Sequence, residues 1–156
     1  MGDVALVPVQ ELRATLTLTP GLALWVCAVE DGAEPPESLP APVIEEARRQ
    51  AALADRLMTP VPRGVLTPWL ALIAGHFAAA QRARSQQEAS TWARTIELAM
   101  EGMPAGVFTR ANLAEVLLRN SFLPTAAQLI EVLMPDRDNL ERRARALRVL
   151  ATTHCV

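Results

Sequence analysis

The sequence predicts an all-α fold, a compact bundle of about five to six helices behind an N-terminal arm, and three observations carry that expectation. Apolar residues recur at spacings of three and four over most of the chain beyond residue 42. Residues that start and stop helices bracket those stretches, and the connections between them are short, which favours antiparallel neighbours. The 156 residues, 51% of them hydrophobic, bury a core without needing a disulfide or a metal.

The organisation expected from composition is an arm over residues 1–32, a proline-rich linker over 33–42, a helical domain over 43–151 and a tail over 152–156. In the arm, Thr15-Leu16-Thr17-Leu18-Thr19 alternates with the two-residue period of a strand, Pro20-Gly21 can turn, and Leu22 to Val29 is a continuous apolar run. A hairpin fits this pattern. Two short helices split at Pro20 fit it equally well, because Val9, Leu12 and Leu16 share a helical face, and an arm that orders only on a partner is a third reading. The linker, AEPPESLPAP, holds four prolines that remove amide donors and keep the backbone extended.

After the linker, Pro42 and the carboxylates Glu45 and Glu46 mark a helix start that the macrodipole favours. Val43, Ile44, Ala47, Ala51, Ala54, Leu57 and Met58 form its apolar stripe, and Pro60 stops it. Thr67-Pro68 reads as cap and first residue of the next helix, with Leu66, Leu70, Ile73 and Phe77 inward as far as about Arg82. Trp92, Ile96, Ala99 and Met100 define a third helix, for which Gly102 supplies the C-cap. The fourth starts at Thr109, with Phe108 and Leu113 placed as a hydrophobic staple and Leu113, Val116 and Leu117 inward. Thr125-Ala-Ala-Gln128 is a capping box before Leu129, Ile130, Leu133 and Met134, and Pro135 ends that helix. Asp138-Asn-Leu-Glu141 repeats the box and opens a last helix carrying Leu140, Ala144, Leu147 and Ala151 inward.

The chemistry that the sequence excludes is broad. All 15 basic residues are Arg, so a P-loop lysine, a Schiff base and a protein-kinase lysine are ruled out. The four serines, at 38, 85, 90 and 121, stand outside any G-x-S-x-G, and metal-binding and dinucleotide motifs are lacking. His76 borders an apolar stripe with no acid between Asp55 and Glu88, which reads as a half-buried structural histidine. His154-Cys155 is half a metal site on a terminal tail. A non-enzymatic protein without cofactor or metal is expected. Met1-Gly2-Asp3 lacks the positive start of an export signal, and the run from Gly21 to Val29 is about half a membrane span, so a cytoplasmic protein with reduced Cys27 and Cys155 is expected.

Charge is unevenly spread: residues 1–42 sum to −5 and residues 43–156 to +3. Arg137, Arg142, Arg143, Arg145 and Arg148 crowd into the last helix, but Asp138 and Glu141 stand four residues before Arg142 and Arg145, the order that favours helical ion pairs. Arg143 and Arg148 are left without such a partner and are the candidates for an acidic ligand or nucleic acid. No second helix rich in Arg, Asn or Gln follows a tight turn, which weakens a DNA-binding regulator. Among the tryptophans, Trp92 lies on its stripe and reads as core. Trp25 belongs to the arm, and Trp69 flanks its stripe and, if exposed, is an interface anchor.

From about Ala52 to Ala151 the layout resembles a group of small helical proteins of alphaproteobacteria and their phages. It has a proline-rich entry, Trp69 opening a helix, Trp92 in a helix ending at Glu101, the bend Met103-Pro104-Ala105-Gly106-Val107, and Ser121-Phe122-Leu123-Pro124-Thr125-Ala126-Ala127-Gln128-Leu129. The aromatic-to-proline step is similar to one in phage replicative helicase loader and inhibitor proteins. There an acidic residue stands where Gln128 does, and here Leu123 separates Phe122 from Pro124. The resemblance implies an adaptor that binds a replicative helicase or initiator, with surface residues around Phe122 and Gln128 and on the last helix. A phage or mobile-element interaction module unrelated to replication is the competing expectation, and a nucleic-acid-binding regulator is the third.

Overall fold

The computed structural model describes residues 16–79 and 86–156. Over these residues it is all-α, with six α-helices and almost no strand, as the periodicity predicts. The chain divides into two compact units, one built from residues 59–137 and the other from residues 16–58 with 138–156. The helical domain expected over 43–151 is therefore shared between them.

The helices of the 59–137 unit are numbered along the whole chain. They are α3 (Arg63–Ala79), α4 (Gln86–Met100), α5 (Arg110–Arg119) and the first half of α6 (Ala126–Ala151). Leu66, Trp69, Leu70, Ile73 and Phe77 of α3 meet Ile96 and Met100 of α4, Val107 and Phe108 of the turn before α5, Val116 of α5, and Leu129, Val132 and Leu133 of α6 in one core. Two proline-containing links are stitched together beside it. Pro60 and Pro104 pair as an antiparallel bridge, with Val61 N–H donating to Met103 O at 2.9 Å and Ala105 N–H to Thr59 O at 2.8 Å.

Three expectations are corrected in this unit. α3 begins at Arg63, four residues before the predicted cap, so Thr67 and Pro68 lie inside the helix. Thr67 donates its hydroxyl to Glu97 of α4 at 2.9 Å instead of capping, and the amide missing at Pro68 costs only one bond near the helix start. Gly102 is not the left-handed C-cap: among the described glycines only Gly32 takes a positive φ, and α4 ends through a turn in which Met103 N–H donates to Met100 O. His76 is exposed, edge-on to Phe77 with centroids 5.1 Å apart. The predicted reach of α3 to Arg82 falls outside the described residues.

The other unit holds α1 (Pro20–Glu30), α2 (Ala41–Met58), the second half of α6 and two short parallel strands, β1 (Ser38–Leu39) and β2 (His154–Cys155). The apolar run is thus a helix, and of the readings open for the arm the hairpin is not the one formed. Val9, Leu12 and Thr15 lie outside the described residues. α2 starts at Ala41, before the predicted start, which moves Glu45 and Glu46 out of the first turn. Glu46 accepts instead from the backbone N–H of Thr19 at 2.8 Å and its hydroxyl at 2.6 Å, fastening the entry of α1 to α2. Ala47, Ala51 and Ala54 of α2 form a wall of small side chains that lets Leu22 and Val26 of α1 and Ala144, Leu147 and Leu150 of α6 approach closely. The linker and the tail are both structured here: Leu39, 1% exposed, completes this core, and Ser38 and Leu39 pair with His154 and Cys155.

α6 is the largest departure from expectation. It continues through Pro135, which was expected to end it, and carries Asp138-Asn-Leu-Glu141 in mid-helix rather than at a start. Pro135 is exposed, so the carbonyl of Glu131 that it leaves without a donor is within reach of water, and burial of both halves offsets the loss.

Candidate functional site

The α5–α6 turn is the best-defined surface feature of the 59–137 unit. It is built from local rules at both ends. Thr109 caps α5, its side chain accepting from Asn112 N–H at 3.1 Å, with Phe108 buried just before it. Asn112 is the one buried polar residue of the described chain, and its Nδ2 donates to Val107 O at 2.7 Å and to Asp136 Oδ2 at 2.9 Å. At the far end Thr125 and Gln128 form the predicted box in both directions. Thr125 N–H donates to Gln128 Oε1 at 2.8 Å, and Gln128 N–H to Thr125 Oγ1 at 3.2 Å.

Between those caps the chain is held from below. Asn120 Nδ2 donates to Val116 O at 2.8 Å, Pro124 is buried, and Trp92 Nε1 donates to Pro124 O at 2.7 Å. Leu123 packs against the core. What remains outside is apolar: Phe122 is 69% exposed and Leu118, four residues earlier at the end of α5, is 83% exposed. Elsewhere in this unit Leu98 of α4 is exposed as well, and beside Leu118 the Glu115–Arg119 pair sets a charged rim.

Of the five residues singled out from the sequence, Phe122 is presented to solvent. Gln128 is exposed, but its amide is engaged in the capping box. Trp69 is corrected: it is 5% exposed, its Nε1 donates to Thr109 O at 3.2 Å, and its ring stands edge-on to Phe108 at 5.2 Å. It is a core residue that anchors the start of α5: three residues after Leu66 and four before Ile73, it shares their inward face. Arg143 and Arg148 are corrected too, since both have acidic partners from helices distant in sequence. Arg143 Nε lies 3.5 Å from Glu30, an ion pair without hydrogen-bond geometry. Arg148 places Nε 2.9 Å and Nη2 2.5 Å from Asp55 Oδ1. Glu141 and Arg145 pair as expected at 3.3 Å, whereas Arg142 donates to Asn139. Sequence reasoning passed over Leu118, although the doublet Leu117-Leu118 held the signal: one helix face cannot bury both neighbours.

Among the described residues no three of His, Cys, Asp and Glu come together as a metal site requires. No helix there is long and apolar enough to cross a membrane. Cys27 and Cys155 are free and exposed. The fold and this turn define an all-α protein with an exposed apolar pair on a hydrogen-bonded turn. No protein-family model, curated protein or solved structure matches the chain.

Proposed function

We propose that the chain is a non-enzymatic adaptor that binds another protein through the α5–α6 turn. The carrying observation is Phe122 and Leu118, two large apolar side chains held in water by a turn capped at both ends and hydrogen-bonded to Trp92. A pre-ordered turn loses little entropy on binding, and burying one such side chain is worth about 1.5–3 kcal/mol. The resemblance of Phe122–Leu129 to the aromatic-to-proline step of phage helicase loaders makes a replicative helicase or initiator the partner of this reading. Pairing of Arg143 and Arg148 with Glu30 and Asp55 speaks against a phosphate-binding face on the last helix.

The test is retention of a purified replicative helicase on the immobilised full chain, with Phe122→Ser and Leu118→Ser alongside. The expected result is retention by the native chain and its loss in both variants, which, being surface changes, leave the helical circular dichroism unaltered. Absence of retention at micromolar protein would rule out the replicative reading and leave the interaction module unrelated to replication. Equal retention by Phe122→Ser would remove the turn as the contact.

A further inference from the structure

The mid-part of α6 carries two contradictory instructions. Its backbone is one continuous helix from Ala126 to Ala151, yet the sequence writes a stop at Pro135 and a start at Asp138-Asn-Leu-Glu141. Burial follows the sequence: from Met134 to Arg143 no side chain of α6 is buried, whereas Leu129, Val132 and Leu133 before it and Ala144, Ala146, Leu147 and Leu150 after it are. The two sets belong to separate clusters of buried residues. Pro135 also lacks the amide that would donate to Glu131 O, so the helical ladder is weakest where packing is absent.

We infer that residues 135–138 are a proline joint, at which α6 opens while the helical halves on either side keep their own cores. The opened form is stabilised locally. Asp138, exposed in the continuous helix, becomes an N-cap whose carboxylate accepts from the backbone N–H groups of Leu140 and Glu141, and Glu141 reaches back as in Thr125-Gln128. The cost of opening is a few backbone hydrogen bonds, the Asn112–Asp136 bond and the half-buried surface of Met134 and Leu140, with no fully buried side chain, the composition expected of a low-stability segment. A continuous helix and a capped, broken one thus compete over one short stretch.

Hydrogen exchange on the full chain tests the joint. The amides of Arg137 to Glu141 are expected to exchange well ahead of those of Leu129 to Leu133 and Ala144 to Leu150, without a common rate. Pro135→Ala restores the missing donor and slows the joint roughly 100-fold. Asp138→Ala removes the competing cap and slows it about fivefold. The joint is contradicted if these amides exchange together with both flanking halves, or if Pro135→Ala leaves their rate unchanged.

Discussion

Phe108→Ala is expected to destabilise the 59–137 unit by about 3–5 kcal/mol, among the largest effects that any single truncation of the chain produces. Phe108 is fully buried, precedes the Thr109 cap, and receives the edge of Trp69 at 5.2 Å. Removing the ring takes away its buried area and an aromatic pair worth about 0.5–1.5 kcal/mol more. It also loosens Trp69, whose Nε1 holds Thr109 O. Urea unfolding followed by tryptophan emission reads the loss as a lower midpoint. A shift worth less than about 1 kcal/mol would show that the cavity collapses and that the start of α5 does not depend on this ring.

Leu147→Ala is the second large effect, about 2–5 kcal/mol, and acts on the unit built from residues 16–58 and 138–156. Leu147 is fully buried against a core whose α2 wall consists of Ala47, Ala51 and Ala54. Alanine side chains have no length with which to fill a vacated space, so the cavity persists and the cost falls toward the upper part of that range. The loss is read from urea unfolding by far-ultraviolet circular dichroism. Val149→Ala, at a half-buried neighbouring position, serves as the comparison and costs less.

What was legible in the sequence is what local chemistry decides. The Thr109 cap and the Thr125–Gln128 box form as expected because their partners lie three residues away. The stripes of α2 to α5 face inward for the same reason, except Ala99 of α4, which is exposed: helical period alone assigns the rest. Distant partners were not legible. Arg148 reads as unpaired because its acid, Asp55, is 93 residues away, and Arg143 does so because Glu30 belongs to a segment whose structure the sequence leaves open. Trp69 reads from the sequence as flanking its stripe and as an interface anchor if exposed, yet it stands three residues after Leu66 and four before Ile73 and is buried with them. At Pro135 tertiary burial prevails over a local stop, and the conflict remains visible as an unburied stretch of α6.

The candidate contact was half legible. Phe122 was found through its motif, Leu118 was not, and nothing in the sequence showed that Trp92 reaches Pro124 O to fix the turn that presents them. The separation matters for function, because an exposed aromatic on a loose loop pays an ordering cost that one on a hydrogen-bonded turn avoids.

The most direct test of the α5–α6 turn as a protein-binding surface is the equilibrium affinity of the full chain for a replicative helicase, measured for the native sequence, Phe122→Ser and Leu24→Ser. Leu24, 74% exposed on α1, is the control for a surface apolar residue outside the turn. The predicted result is a loss of about thirtyfold or more for Phe122→Ser, as for a binding hot spot, with Leu24→Ser unchanged. Equal affinities for all three proteins, or a loss confined to Leu24→Ser, would contradict it.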